Sequence, residues 1–423
     1  MSIKQYFEEN SSNLDKIKNI FINSDIRNEN GDTNYLSLVK DLGIIRYGER
    51  SNAGNKTSDD PKKYKLVGIG DLVVNPMNAT IGSVGFSKYN GCLSGVYIVL
   101  KPKKNVDSNY YHYVFQDVGF QKFLKTISYG IMEIRESLNK TEFFQIKIPN
   151  IPVQEQSKIA LFLNKKTDLI ESLLDKNEKK IELLIEQKNS LITEVTTKGL
   201  NFKTKMKKSG INWIGMIPSH WQIKRLKYLG TFTNGLSKSS ENFGKGFPFF
   251  SYGDFYNNFT LSEPSGLVES SELDRKKCSV NEGDIFFTRT SETVDDIGVS
   301  CTSHKTVPNS TFSGFVIRFR PSDKALTTEF STFFFHNHFK KSFIESRMNI
   351  VTRASLNQTT LGDLPVLIPS EKEQIEIYNF LSKKISSINK LISNSKKNIK
   401  LLKEYKKSII SELITNKKTI NNI

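Results

Sequence analysis

Two stretches of the chain carry apolar residues at alternating three- and four-residue steps, and they are near-copies of each other. In the first, Leu163, Ile170, Leu174, Ile181, Leu184, Leu191 and Val195 share a stripe with Asn177 and Lys188, the one irregular step falling across Thr167. In the second, Leu381, Ile385, Ile388, Ile392, Ile399, Leu402, Ile409 and Leu413 share a stripe with Ser395 and Lys406. Charged residues fill the other faces. The spacing predicts two long helices, residues 151–199 and 370–423, each with a coiled-coil seam. Residues 155–197 align with 373–415 without a gap, and 19 of the 43 pairs are identical, so the polar seam positions coincide: Asn177 with Ser395, Lys188 with Lys406. Polar seam residues lower stability but specify register, which predicts that the two helices pair in one alignment. Packing of each helix on its own domain alone is the other reading. A helix of this length spans about 65 Å, more than the diameter of a 150-residue domain.

The remaining sequence, residues 1–150 and 212–369, changes period. Short β-rich runs such as Leu72-Val73-Val74, Val96-Tyr97-Ile98-Val99 and Phe315-Val316-Ile317-Arg318-Phe319 are punctuated by Gly, Asn, Asp and Pro, which predicts short strands joined by turns. Helical patterns at 109–125 and 328–346 make these regions α+β. They also repeat. Gly70-Asp71 matches Gly283-Asp284, Ser94-Gly95 matches Ser313-Gly314, Arg135 with Ser137-Leu138-Asn139 matches Arg353 with Ser355-Leu356-Asn357, and Ile151-Pro152 matches Ile368-Pro369. Blocks in one order establish a duplicated chain of two globular domains and two long helices. If a two-fold axis relates the copies, the helices run antiparallel with one domain at each end. The Lys-rich stretch 200–211 is expected to be a solvated tether.

Composition narrows the partners. The 423 residues carry 61 Lys and Arg against 44 Asp and Glu, a formal charge of +17, which favours a polyanion. Cys92, Cys278 and Cys301 have no CxxC spacing, and the five histidines, His336 and His338 among them, lack accompanying ligands, so no metal site or disulfide framework is indicated. The histidines are expected at the surface or at interfaces. There is no N-terminal signal pattern and no apolar run near 18 residues, which predicts a cytoplasmic protein without a membrane partner.

Both tryptophans lie in Trp213-Ile214-Gly215-Met216-Ile217-Pro218-Ser219-His220-Trp221. This stretch resembles the W-I-G-x-I-P-x-H-W opening of the specificity subunits of Type I restriction–modification systems. The Gly-Asp before a strand, the Ser-Leu-Asn stretch, and Ile-Pro shortly before Glu-Gln at a helix head also look like that family, and the resemblance covers essentially the whole chain. It implies two target recognition domains, each reading one half of a bipartite double-stranded DNA sequence. It also implies paired helices that act as a ruler and dock two adenine methyltransferase subunits, with restriction/translocase subunits joining for cleavage. S-adenosylmethionine and ATP would bind those partners, leaving this chain without cofactor. One departure stands out: residues 1–20 offer only Tyr6 and Phe7 where the second copy has its tryptophan motif.

The residues themselves equip the chain poorly for catalysis. There is no G-x-x-x-x-G-K-[ST] loop and no Asn/Asp-Pro-Pro-aromatic tetrapeptide, so base flipping and methyl transfer would belong to a partner. Base readout should lie where the copies diverge, after the Gly-Asp strand: Asn75-Pro76-Met77-Asn78-Ala79-Thr80 in one, Thr288-Arg289-Thr290-Ser291-Glu292 in the other. Asn suits adenine and Arg suits guanine in the major groove, which makes Asn78, Thr80, Arg289 and Thr290 candidates. Solvent exposure alone explains such polarity equally well. Arg135 and Arg353 are candidate phosphate ligands or partners of a carboxylate in the fold. The tryptophan motif is expected to be a hook buried against its domain, and the Gly-Asp pairs are expected to be turns. Two further readings stay open: the specificity subunit of an architecture with fused methylase and nuclease, and a basic coiled-coil scaffold with lectin-like or membrane-binding heads.

Overall fold

The computed structural model describes residue 7 and residues 13–40, 43–49, 60–129, 137–201, 203–256, 258–291, 297–322, 325–347 and 354–415. The chain divides into two compact units, one discontinuous in sequence (residues 1–178 with 396–423) and one continuous (residues 179–395).

Each unit is built on the same four-stranded antiparallel sheet. In the first the order is Phe21–Ser24, Ile98–Pro102, Leu72–Val74, Val84–Phe86; in the second it is Gly230–Asn234, Val316–Pro321, Ile285–Thr288, Ser300–Thr302. Register is shared too, with Leu72 opposite Leu100 and Ile285 opposite Phe319. The central strands are apolar on both faces because both faces are covered, so Leu72-Val73-Val74 and Ile285-Phe286-Phe287 show no alternation. Leu72 and Val74 face a core with the helices Ser108–Gln116 and Val118–Thr126, while Val73 faces a smaller core under the hairpin Leu36–Val39 and Gly43–Arg46. Ile285 and Phe287 likewise face the helices Thr328–Phe334 and His338–Arg347, and Phe286 faces a core with Phe250, Phe255 and Phe312.

The helical pattern at 109–125 is two helices, not one. Asp117 breaks it: extended at φ −63°, ψ 125°, it closes the first helix and caps the second by accepting from the Phe120 N–H at 2.7 Å. Such a residue satisfies orphan groups of both helix ends at once.

The long helices are Val153–Lys198 and Glu371–Ile414. Residues 416–423, assigned to the second helix from the pattern, lie outside the described residues. Each helix is shared between the two units. The first unit buries Leu163 and Ile170 of the first helix together with Ile409, Ile410, Leu413 and Ile414 from the end of the second. Further along, Lys406 Nζ meets Glu171 Oε1 at 2.6 Å, so the two segments run antiparallel. The second unit repeats this: Ile192 and Val195 from the end of the first helix share a core with Ile377, Leu381 and Ile385 from the start of the second. Leu163, Leu174, Leu381, Ile388 and Ser395 are buried, and Asn177, Ile181, Leu184, Ile392, Ile399 and Leu402 are half-buried. Thr167, at the irregular step, is buried and meets the first globular domain: its hydroxyl bonds the Tyr113 hydroxyl at 3.1 Å.

Three expectations need correction. The stretch 200–211 is not a simple tether: Met206–Lys208 forms an antiparallel pair with Met216–Pro218, and Lys207 Nζ donates to the Trp221 carbonyl at 2.7 Å. Of the polar seam positions, Lys406 joins one helix to the other, but Asn177 and Lys188 have other partners. Asn177 spends its amide on its own helix, at the Leu173 carbonyl (2.8 Å), and Lys188 lies 5.6 Å from the Phe259 ring of the second globular domain. His336 is not a plain surface residue, because its Nε2 is enclosed and its ring centroid lies 4.0 Å from that of Phe259.

Candidate nucleic-acid interface

The site begins at the turn before the central strand. Gly70 and Gly283 have φ 91° and 84°, a region that favours glycine. The following Asp folds back on the turn: Asp71 Oδ2 accepts from the Gly68 N–H at 2.8 Å, and Asp284 Oδ2 from the Asn281 N–H at 2.7 Å. Asp284 also receives both prongs of Arg320, at 2.6 and 2.7 Å. The repeat-equivalent of Arg320 is Lys101, whose charge acts on Asp71 only at a distance; burial dominates and raises the Asp71 carboxyl above its ordinary value. These aspartates hold turns, and both are buried.

The strand then delivers the divergent segment. In the first unit Asn75 Oδ1 accepts from the Met77 N–H at 3.1 Å, buried Ala79 anchors the short helix Ala79–Ile81, and Gly82, at φ 85°, returns the chain to Val84–Phe86. This leaves Asn78 exposed and Thr80 half-buried; among the described residues neither side chain has a hydrogen-bond partner. In the second unit Arg289 is half-buried, its guanidinium has no partner among the described residues, and Thr290 pairs with Ser355. Glu292 lies outside the described residues, as do Arg135 and Arg353.

One contact joins the divergent segment to the Ser-Leu-Asn stretch in both copies. The Leu138 N–H donates to the Pro76 carbonyl at 3.1 Å, and the Leu356 N–H donates to the Arg289 carbonyl at 2.8 Å. Leu138 and Leu356 are buried, while Asn139 and Asn357 cap the next short helix. Ser-Leu-Asn is therefore a brace for the divergent segment. A second brace stands behind it. Buried Gln156, at the head of the first long helix, accepts from the Asp107 N–H at 2.8 Å and donates to the Ile151 carbonyl at 2.7 Å. Gln374 does the same with the Thr327 N–H (2.8 Å) and the Pro369 carbonyl (3.1 Å).

Tertiary structure adds residues that the sequence reading missed. In the first unit Asn78 lines a cleft of about 630 Å³ together with Tyr35, Tyr47, Tyr97, Lys40 and Lys63. Val96 lies on its rim and is 55% exposed; its counterpart Phe315 is 61% exposed, and its carbonyl accepts from the Arg289 N–H at 2.8 Å. A signal for these two did exist, since each follows the matched Ser-Gly and differs between copies. The tyrosines and lysines come from distant segments without a motif. Such a mixture offers ammonium groups to phosphates, amides to base edges and apolar tips to methyl groups.

The tryptophan motif divides. Trp221 is fully buried, whereas Trp213 is 38% exposed beside Phe343. Glu373 binds this motif, accepting from His220 Nε2 at 3.0 Å and from Trp221 Nε1 at 3.4 Å. Burial alone would raise the Glu373 carboxyl, but hydrogen bonds from His220, Ser370 and Trp221 hold it below its ordinary value. In the first copy Phe7 provides the aromatic plug, buried with its ring centroid 5.3 Å from that of Phe120.

Among the described residues no helix is long and apolar enough to cross a membrane. Comparison with known proteins gives one answer along the chain. The type I restriction modification DNA specificity domain matches twice, over residues 7–183 and 218–401. A type I restriction enzyme MjaX specificity subunit of Methanocaldococcus jannaschii is 26% identical over 377 residues, covering 85% of this chain and 80% of that protein. The EcoKI specificity subunit of Escherichia coli is 22% identical over 361 residues, covering 81% and 75%. Among solved structures, one from a study of assembly and conformational transition of the type I R-M system superposes with a TM-score of 0.73 at 14% identity, covering 95% of this chain and 97% of that one. The HsdS subunit of Thermoanaerobacter tengcongensis gives 0.55 at 13% identity, covering 95% and 96%. The duplicated sheet, the paired long helices and both domain matches place this chain in the type I restriction–modification DNA specificity family, with a role in DNA sequence specificity.

Proposed function

We propose that the chain reads a two-part duplex DNA target, one part with each divergent segment, and itself catalyses nothing. The observation that carries this reading is the pair of equivalent braces, Leu138 on Pro76 and Leu356 on Arg289, which present different side chains from one frame. Asn78 and Thr80 would contact bases in one half-site, Arg289 and Thr290 in the other, and Arg135 and Arg353 would take phosphates. Lys40 and Lys63, exposed at the first cleft, would add the salt-dependent part of affinity.

On this reading the long helices set the spacing of the half-sites and dock two adenine methyltransferase subunits and the restriction/translocase subunits. Those partners would bind S-adenosylmethionine and ATP, and the assembly would work in the cytoplasm. Modified-base sequencing of cells with and without this chain tests the proposal. A bipartite methylated motif that disappears with the chain is expected; an unchanged methylation pattern would sink it. An insertion of four residues in the first long helix adds about 6 Å, which should lengthen the spacer by one or two base pairs and leave the half-sites unchanged.

A further inference from the structure

Both divergent segments end at a left-handed glycine placed two residues before the next strand. Gly82 has φ 85° and Gly298 has φ 68°. A side chain added at Gly298 would collide with Ile344, and one at Gly82 would reach within 2.7 Å of Gln121 Nε2. The backbone is therefore tightly seated, and in each unit a helical side chain holds the glycine carbonyl. In the first it is neutral Gln116, whose Nε2 donates to the Gly82 carbonyl at 3.2 Å. In the second it is Lys340, whose Nζ donates to the Gly298 carbonyl. Lys340 is only 7% exposed, and that carbonyl is its one hydrogen-bond acceptor for Nζ among the described residues. Gly298 is in turn tied to the start of the segment, since its N–H donates to the Thr288 carbonyl at 2.9 Å.

We propose that Lys340 is the positioning residue of the second recognition segment, clamping its exit at Gly298 as Gln116 clamps Gly82 in the first. The assignment rests on the DNA-reading role proposed above. A clamp made by a buried ammonium differs from one made by an amide in a way that can be measured. A charged donor gives the stronger bond to a carbonyl, and it weakens when the proton leaves. Burial pushes the Lys340 amine down to about 7. Among the described residues, the groups facing it give no compensating negative charge: His336 is pushed well below its ordinary value by burial and by the charges of Lys340 and Lys188, and Lys188 is itself a cation. The clamp is thus fully charged below neutrality and weakens to a neutral hydrogen bond as pH rises through about 7. Gln116 has no proton to lose. The two half-sites should respond differently to pH.

The test is selection from a randomised duplex library by the full chain at pH about 6 and about 8.5, on either side of the Lys340 transition. In the wild type, base preference in the second half-site should fall roughly tenfold at the higher pH, the scale of one charge-assisted hydrogen bond, while the first half-site stays constant. Lys340→Gln, which copies the first clamp with a neutral donor, should hold a lower preference than the wild type shows at the acid pH, the same at both pH values. Lys340→Met should lose second-half preference at both pH values. The first half-site is the internal control for folding, and if Lys340→Met unfolds the second unit, the pH profile of Lys340→Gln decides. A wild-type second half-site that ignores pH, or a Lys340→Gln profile that keeps the wild-type slope, overturns the clamp. No base preference at either half in the wild type overturns the DNA-reading role instead.

Discussion

The two units share a sheet, a register and a pair of braces, yet differ in the side chains those features present. The first sets exposed Asn78 at the edge of a tyrosine-lined cleft; the second sets half-buried Arg289 beside exposed Phe315. The turn beneath them differs as well, with a bidentate Asp284–Arg320 pair in one and an unbridged Asp71 facing Lys101 in the other. What stays the same between the copies is backbone support, buried and hydrogen-bonded. The side chains that the divergent segments present differ, as do the buried turn and clamp beneath them. Duplication therefore separates the shared supports from the candidate reading residues inside a single chain.

The largest expected effect breaks the symmetry of the turns. Asp284→Ala strips Arg320 of its carboxylate, leaving only the Ser279 oxygens as acceptors beside a buried turn, and should destabilise the second unit by roughly 3–5 kcal/mol. Asp71→Asn keeps the turn hydrogen bond and removes a carboxylate that burial already disfavours, so it should cost less than about 1 kcal/mol. Because the Asp71 carboxyl is raised, its contribution is present at acid pH and is lost as pH rises past the ordinary carboxylate value. Denaturant unfolding of both variants, followed across pH, checks the ranking; equal losses would mean that the two turns are energetically alike.

Next comes the brace shared by both units. Gln156→Ala and Gln374→Ala each orphan a part-buried N–H at a helix cap, and each should cost about 1–3 kcal/mol. Hydrogen exchange should show the loss confined to the unit that carries the substitution. A uniform loss across the chain would mean that the units do not unfold separately.

Recognition should show a smaller and more selective change. Arg289→Ala should lower discrimination at one half-site by about 1–3 kcal/mol, and Asn78→Ala should do so at the other. Neither should move the unfolding midpoint. Selection from a random duplex library reads both at once, and a variant that weakens both half-sites equally would assign its residue to phosphate contact.

The smallest effect concerns the ion pair between the long helices. Lys406 and Glu171 are partly exposed, at 29% and 53% for their side chains, so Lys406→Ala should cost below about 1 kcal/mol, less still at high salt. A larger loss would show that the pair contributes more than a solvent-exposed ion pair.

The duplication, both long helices and the position of the divergent segments were legible in the chain, because seams and turns are written as local periodicity and as glycine with aspartate. The tyrosines and lysines of the first cleft were not, since Tyr35, Lys63 and Tyr97 belong to separate segments that meet only through the fold. Lys340 was hidden for another reason: in sequence it is one of many lysines, and only burial gives its charge meaning.

By itself, the sequence determined that there are two α+β domains and two long seamed helices, because hydrophobic spacing must match the period of the element that buries it. Only the tertiary structure decided that each domain is finished by the far end of the other copy's helix. The stripe says that a helix has an apolar face, and Ile192, Val195, Ile409 and Leu413 fit equally well against a helix or a sheet-and-helix core. Burial is non-directional, so the choice among apolar partners is made by geometry summed over the whole chain.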